Sequence, residues 1–113
     1  MQRIDSEQEL DAAITTNHLL VILLHTQSAV ISARAHHEVA MSELDHAHIP
    51  YFELHTSKTR VDATANRSLI DALARHVGEH HDAPHVYVIK KGKLKWHAPH
   101  GGIRKEAIAA ALR

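Results

Sequence analysis

Hydrophobic positions along the chain form two patterns: continuous runs, which indicate strands, and positions spaced three or four apart, which indicate helices. The run from His18 to His25 is continuously apolar between its ends, which is typical of a strand covered on both faces. Tyr51–Leu54 is a second short run of the same kind. Val86–Ile89 and Lys93–Trp96 flank the turn residues Lys90-Lys91-Gly92, which predicts a hairpin.

Helical spacing lies between and around these runs. Ser6-Glu7-Gln8-Glu9 is a capping box that opens a first helix, whose inner face carries Leu10, Ala13 and Ile14. The segment from Ile31 to His46 predicts a second helix. Its expected inward residues are Ile31, Ala35, Val39 and Leu44.

Two more helices follow in the second half of the chain. Asp62 or Thr64 is expected to cap a third helix, and Gly78 ends it. The repeated apolar residues of this third helix are Leu69, Ile70, Leu73 and Val77. Ile103 to Leu112 predicts an alanine-rich closing helix, with Ile103, Ala107, Ile108 and Ala111 facing inward.

The predicted order is helix, strand, helix, strand, helix, strand, strand, helix. A long helical connection between the first two strands requires that they pair in parallel, whereas the last two strands form an antiparallel hairpin. One mixed four-stranded sheet flanked by helices on both faces satisfies these connections. We therefore predict an α/β fold with thioredoxin topology, as a single domain over residues 1–113.

Composition excludes several classes of function. The 13 basic and 13 acidic residues balance, so no basic excess favours nucleic acid. The apolar run Leu19–Leu24 is far shorter than the ~20 residues that span a bilayer. The first residues show no secretion signal, so we expect a cytoplasmic protein without membrane partners. The absence of cysteine excludes disulfides, thiolate metal sites and a thiol nucleophile.

Histidine is unusually abundant, with 13 residues spread from His18 to His100. Zinc or nickel binding is a hypothesis suggested by the pairs His36-His37, His46/His48 and His80-His81. A site for either metal needs three or four converging imidazoles. On a helix, ligands share a face at i and i+4, which His36-His37 does not supply. We therefore predict neither metal site nor cofactor, although a histidine-rich metal-binding module remains an alternative function.

Three segments together resemble the monothiol bacilliredoxins, bacterial thioredoxin-like proteins of bacillithiol redox homeostasis. The first, His25–Ser32, matches the family pattern His, three variable residues, Cys-Pro-Ile-Ser. The second, His81–His85, matches His-Glu-Ser-Pro-Gln, and the third, Gly92–His100, matches Gly-Lys-x-x-Trp-His-Ala-Ser-His. The spacing agrees in all three, and the resemblance extends from His18 over nearly the whole remaining chain.

The chain departs from the family pattern at the nucleophile. Counted from His25, the family cysteine falls on Ala29 and the following proline on Val30. In the family, that cysteine attacks mixed disulfides between proteins and bacillithiol. Because alanine has no lone pair and hydroxyls do not exchange with disulfides, neither Ala29 nor Ser28 or Ser32 can replace it. Loss of the proline as well favours natural loss of the redox centre over a single engineered Cys→Ala substitution.

The resemblance also implies where a ligand would bind. Pro84 would be the cis-proline beside the active-site helix, and Ala83 would offer its backbone to an extended peptide. Together with the start of the second helix and the loop at His97 to His100, this turn would form a binding groove. The binding residues that we expect there are Ser28, Ala29, Ser32, His81, Ala83, Pro84, His97 and His100. His25 belongs with the histidines at the groove's edge. We therefore predict a non-catalytic module for a peptide or a small bacillithiol-like thiol. The alternative is an inactivated bacilliredoxin oxidoreductase, and the oligomeric state is left open.

Overall fold

The computed structural model describes residues 1–26, 30–56 and 63–113. Within these ranges a helix lies between successive strands, except between the last two, which form a hairpin. The strands are β1 (Gln2–Arg3), β2 (Leu19–His25), β3 (Tyr51–His55), β4 (His85–Lys90) and β5 (Lys93–Pro99). The α-helices are α1 (Glu7–Thr16), α2 (Val30–Asp45), α3 (Ala63–Val77) and α4 (Lys105–Ala111), and a short 3₁₀ helix covers His100–Gly102.

The described strands form one mixed sheet in the order β1-β3-β2-β4-β5. β2 pairs in parallel with β3 and antiparallel with β4, and β4 continues antiparallel to β5. This sheet has five strands and not the predicted four, because Gln2 and Arg3 add a parallel edge strand beside Phe52 and Glu53. Both side chains of this two-residue strand are exposed, so no apolar pattern announces it.

β2 lies at the centre of the sheet and contributes to both hydrophobic layers. Leu20, Ile22 and Leu24 belong to the layer that includes the buried residues of α1 and α3. Val21 and Leu23 point the other way, into the layer shared with α2 and α4. The continuous apolar run is thus explained by burial on both faces. Among the helices that the structure describes, none is long and apolar enough to cross a membrane.

The buried face of α2 differs from the predicted one. Ile31 is 56% exposed and Leu44 is 74% exposed, so the expectation that both face inward was wrong. Two serines take their place in the core. Ser32 and Ser42 are almost fully buried beside Ala35 and Val39, and each hydroxyl has a buried hydrogen-bonding partner.

The capping and turn predictions hold where the structure describes them. The Ser6 hydroxyl accepts from the Glu9 amide at 3.1 Å, which begins α1. Lys91 and Gly92 have φ values of 53° and 76°, as a tight two-residue hairpin turn requires. Gly78 follows α3 with φ 95°, the left-handed conformation that commonly ends a helix. Of the two predicted caps for α3, Asp62 and the side chain of Thr64 both lie outside the described part of the chain.

Candidate functional site

One edge of the sheet gathers most of the side chains that could bind a ligand. β2 and β3 end side by side at His25 and His55, which are paired in register. β4 begins at the same edge with His85, which is paired with Leu24 on one side and Pro99 on the other. Since alternate residues of a strand point to opposite faces, these histidines separate into two groups across the sheet.

The first group lies on the face covered by α2. His25 Nδ1 and Ser32 Oγ share a buried 2.8 Å hydrogen bond, and Ser32 Oγ also accepts from the Thr26 amide at 2.9 Å. Burial lowers the pKa of His25, and the neighbouring His55 and His36 lower it further. The hydroxyl of Ser32 therefore ties the end of β2 to the first turn of α2 and faces the core.

Glu53 completes this first group. Its two carboxylate oxygens accept from His55 Nε2 at 2.8 Å and from His36 Nε2 at 3.0 Å. Burial alone would raise the pKa of Glu53, but the hydrogen bonds from His55 and His36 outweigh it and hold the pKa below its usual value. This carboxylate is therefore held in its ionised form between two imidazoles.

The second group lies on the opposite face, beside α3, and we name it the histidine triad: His81, His85 and His97. His85 Nε2 and His97 Nδ1 share a 2.8 Å hydrogen bond, and the His81 ring stacks on the His85 ring at a centroid distance of 3.9 Å. His81 Nδ1 bonds the Tyr87 hydroxyl at 2.9 Å, and His81 Nε2 donates to Glu79 at 2.9 Å.

Burial sets the protonation of His85, the central residue of the triad. His85 is only 3% exposed, and burial together with the adjacent His81 and His97 lowers its pKa to about 4. Burial also raises the pKa of Tyr87. At neutral pH His85 is therefore an uncharged imidazole. The Tyr87 hydroxyl keeps its proton and can donate a hydrogen bond.

The loop before β4 joins this edge to a groove along α2. The Ala83–Pro84 peptide bond is cis, and Pro84 is buried. The Pro84 carbonyl accepts from the His100 amide at 3.3 Å, which fastens the end of β5 to the proline turn. Gly102 lies close to Ala98, where an added Cβ would meet the alanine methyl at 3.1 Å.

A groove of about 460 Å³ runs between α2 and the segment from His100 to Glu106. Its lining combines apolar and charged residues: Ile31, Arg34, Ala35, Glu38, His100, Gly101, Ile103, Arg104 and Glu106. Ile31, which lines the groove, is 56% exposed, and Val30, the residue before it at the start of α2, is 88% exposed. Glu38 accepts from the Lys105 amide at 3.3 Å and so links α2 to the start of α4 across the groove.

The predicted site residues fall in different places. Ser28 and Ala29 lie outside the described residues. The Ser32 hydroxyl faces the core, and His81 and His97 belong to the triad across the sheet. Of the eight residues, His100 lines the groove and Pro84 contacts His100, while Ala83 precedes Pro84 in the same turn.

Sequence reasoning missed three functional candidates: His85, Arg34 and Arg104. A signal for His85 was present, because His85 and Tyr87 alternate on one strand of a hairpin whose other strand carries His97. The arginines carried no such signal, since α2 and α4 meet only through the tertiary fold.

The sheet order, the flanking helices and the cis-proline directly before β4 define a thioredoxin-like protein. Solved structures similar to this chain support that class. One, assigned provisionally as an oxidoreductase with a thioredoxin fold, matches with a TM-score of 0.84 and 20% identity, over 99% of this chain and 93% of that one. An oxidised thioredoxin from Plasmodium falciparum matches with a TM-score of 0.73 and 11% identity, over 99% and 94%. The oxidised mitochondrial thioredoxin 3 of Saccharomyces cerevisiae matches with a TM-score of 0.72 and 12% identity, over 99% and 92%.

At these identities the similar structures establish the fold alone. The family is established by the sequence itself, because residues 2–108 match the family model of the monothiol bacilliredoxin BrxC. The chain therefore belongs to the monothiol bacilliredoxin family, as its three motifs predicted. It does so without any cysteine, so thiol–disulfide exchange by its own side chains is chemically impossible.

Proposed function

We propose that this protein is a non-catalytic binding module of the bacilliredoxin family that holds an extended polypeptide in the groove along α2. The observation that carries the proposal is the exposure of Ile31, a large apolar side chain that lines this groove, in a chain that has no cysteine. Large apolar side chains so exposed at a concave surface favour contact with a partner.

The composition of the groove supports a peptide ligand. Its apolar residues can cover aliphatic side chains, while Arg34 and Arg104 can pair with carboxylates of an acidic segment or a C-terminus. The proline turn at Ala83 lies beside the same groove. We expect the Ala83 backbone to add short strand-like hydrogen bonds to the ligand.

The test uses the full chain and a matched pair of substitutions on one helix. Ile31→Asp changes the groove, whereas Leu44→Asp changes a residue that is 74% exposed at the other end of α2. Peptides selected from a random library against the wild-type protein are titrated by calorimetry. We expect Ile31→Asp to weaken binding at least tenfold, about 1.4 kcal/mol, and Leu44→Asp to leave it unchanged.

Equal effects of the two substitutions would place the peptide elsewhere, and failure to select any peptide would refute the peptide proposal. Titration with bacillithiol, followed by amide chemical shifts, forms a separate arm. Shifts confined to the groove with bacillithiol and not with peptides would make a small thiol the ligand.

The second candidate function is that of an inactivated oxidoreductase, which the family membership favours. Ala29→Cys restores the family nucleophile at position 29. We expect this variant to release bacillithiol from a labelled mixed disulfide if the rest of the redox site is intact, while Leu44→Cys serves as the thiol control. No release above that control would mean that the surroundings have diverged together with the nucleophile.

A further inference from the structure

The histidine triad presents three imidazoles to one small volume. One ring nitrogen from each of His81, His85 and His97 lies within 4.8 Å of the other two. The arrangement depends on the fold, since His85 and His97 come from adjacent antiparallel strands and His81 from the loop before them.

From this geometry we infer that His81, His85 and His97 form a binding site for one divalent transition-metal ion of the zinc type. Imidazole nitrogen is a preferred ligand of zinc, copper and nickel. Three protein ligands with a fourth position open to water are the arrangement of zinc sites that exchange ligands. The site lies across the sheet from the α2 groove, so it is independent of peptide binding there.

The surroundings of His81 prepare one nitrogen for a metal. His81 Nε2 donates to the Glu79 carboxylate, which leaves the lone pair on Nδ1, where it accepts from the Tyr87 hydroxyl in the metal-free protein. An ion bound at Nδ1 takes the place of this hydrogen bond. A carboxylate on the distal ring nitrogen is the usual partner of a metal-bound histidine, because it selects the tautomer and makes the ligand more basic. Glu79 is thus the orienting residue of the site.

His85 and His97 already share a single proton across their 2.8 Å hydrogen bond. An ion between the two nitrogens replaces this proton, which moves to the other nitrogen of the ring that carried it. Nitrogens placed tetrahedrally around zinc lie roughly 3.4 Å apart, as follows from Zn–N bonds of ≈ 2.0–2.1 Å. The bonded pair therefore opens slightly. Because ring nitrogens bind a metal in the plane of the ring, the His81 ring also turns out of its nearly parallel stack on His85 to point its lone pair at the ion.

The site combines a ligand that an ion can reach from solvent with a ligand whose position is fixed. His97 is exposed and gives an ion a path from solvent, whereas His85 is almost completely buried and its position is set by β4. Surface histidines elsewhere on the chain have no such convergence with two others among the described residues.

The experiment is a titration of the full-length, metal-free chain with Zn²⁺ at neutral pH, in competition with a chromophoric chelator. We expect one ion per chain and a rise in Tm that follows binding. His97→Asn changes an exposed ligand and His85→Gln a buried one. Each should weaken zinc binding by at least ~100-fold, since loss of even an outer partner costs about 10–100-fold.

His80→Asn is the matched control, because His80 is the exposed neighbour of His81 and bonds Asp71 outside the triad. It should bind zinc like the wild type. The variant at the exposed position 97 keeps the test decisive even if His85→Gln folds poorly. Absence of stoichiometric binding by the wild type, or equal affinity in the position 97 and position 80 variants, would overturn the site and leave adventitious binding by scattered histidines.

Discussion

His25 shows how a single buried imidazole affects the stability of this protein. It lies between His36 from α2 and His55 and Glu53 from β3, and it bonds Ser32. Burial first, and then the two neighbouring imidazoles, lower its pKa in the folded state, while Glu53 and Ser32 act in the opposite direction. The net result is that the folded protein resists protonation of His25.

The sign of the resulting pH dependence follows from linkage. In the unfolded chain, His25 titrates near its ordinary value of about 6.5, so at lower pH the unfolded state binds the proton more readily. The contribution of His25 to stability is therefore complete above about pH 6.5 and is lost as pH falls toward the lowered folded-state pKa. We expect the free energy of unfolding of the metal-free protein to decrease over this interval.

Urea denaturation at several pH values checks this prediction. His25→Asn keeps a polar atom near Ser32 but does not titrate, so its stability should fall less steeply with acidification than that of the wild type. His37→Asn removes an exposed histidine of α2 and should keep the wild-type slope. A slope unchanged by the substitution at position 25 would assign the pH dependence to other groups.

At the scale of elements, α2 packs on β3 through a buried polar pair. Ser42 Oγ and Tyr51 OH share a 2.7 Å hydrogen bond, and both residues are at most 3% exposed. The bond lets α2 bury a serine that was not among the residues predicted to face inward. Removal of one partner deprives the other of this buried bond, whereas removal of both leaves an apolar contact.

A double-mutant cycle measures this pair. We expect Ser42→Ala to cost about 1–3 kcal/mol of stability, because the Tyr51 hydroxyl then loses its partner in the core. The double variant, with both Ser42→Ala and Tyr51→Phe, should lose less stability than the two single variants together, with a coupling energy of about 0.5–1.5 kcal/mol. Strictly additive effects, measured by chemical denaturation, would contradict the hydrogen bond.

Helices and strands were predicted correctly where their burial shows in the pattern of hydrophobic residues along the sequence. The apolar run of β2 and the Lys91-Gly92 turn were sufficient to place the central strand and the hairpin. β1 was missed because it pairs through its backbone alone and both of its side chains are exposed. The face of α2 was predicted wrongly because a buried serine cannot be told from an exposed one until its hydrogen-bonding partner is known.

At the scale of the whole molecule, the histidines control the net charge. With histidine neutral the formal charge is zero, but an ordinary imidazole gains a proton between neutral and mildly acidic pH. The chain has 13 histidines, of which the buried His25 and His85 resist this change because their pKa values are lowered. Aspartate and glutamate remain ionised through most of this interval, since their ordinary pKa values are about 4. The molecule therefore changes from neutral to strongly positive over a narrow range of pH.

Ion-exchange chromatography tests this change. We expect the metal-free protein to pass a cation exchanger at about pH 8 and to be retained at about pH 5.5, which lies below the ordinary pKa of imidazole, about 6.5. Substitution of the exposed His18, His37 and His48 by asparagine should lower the salt concentration needed for elution at the acidic pH. Retention that does not depend on pH would contradict a histidine-controlled charge.

The sequence by itself determined the chemistry that this protein lacks and the order of its elements from α1 onward. Both follow from residue identity and local periodicity, which need no knowledge of what lies across the sheet. Only the tertiary structure decided which histidines meet. Strand register and the alternation of faces bring His85 to His97 and His25 to His55, and separate the two pairs by the thickness of the sheet. The pattern of hydrophobic residues along the sequence does not contain that register, because the packing of the whole molecule determines which strands pair.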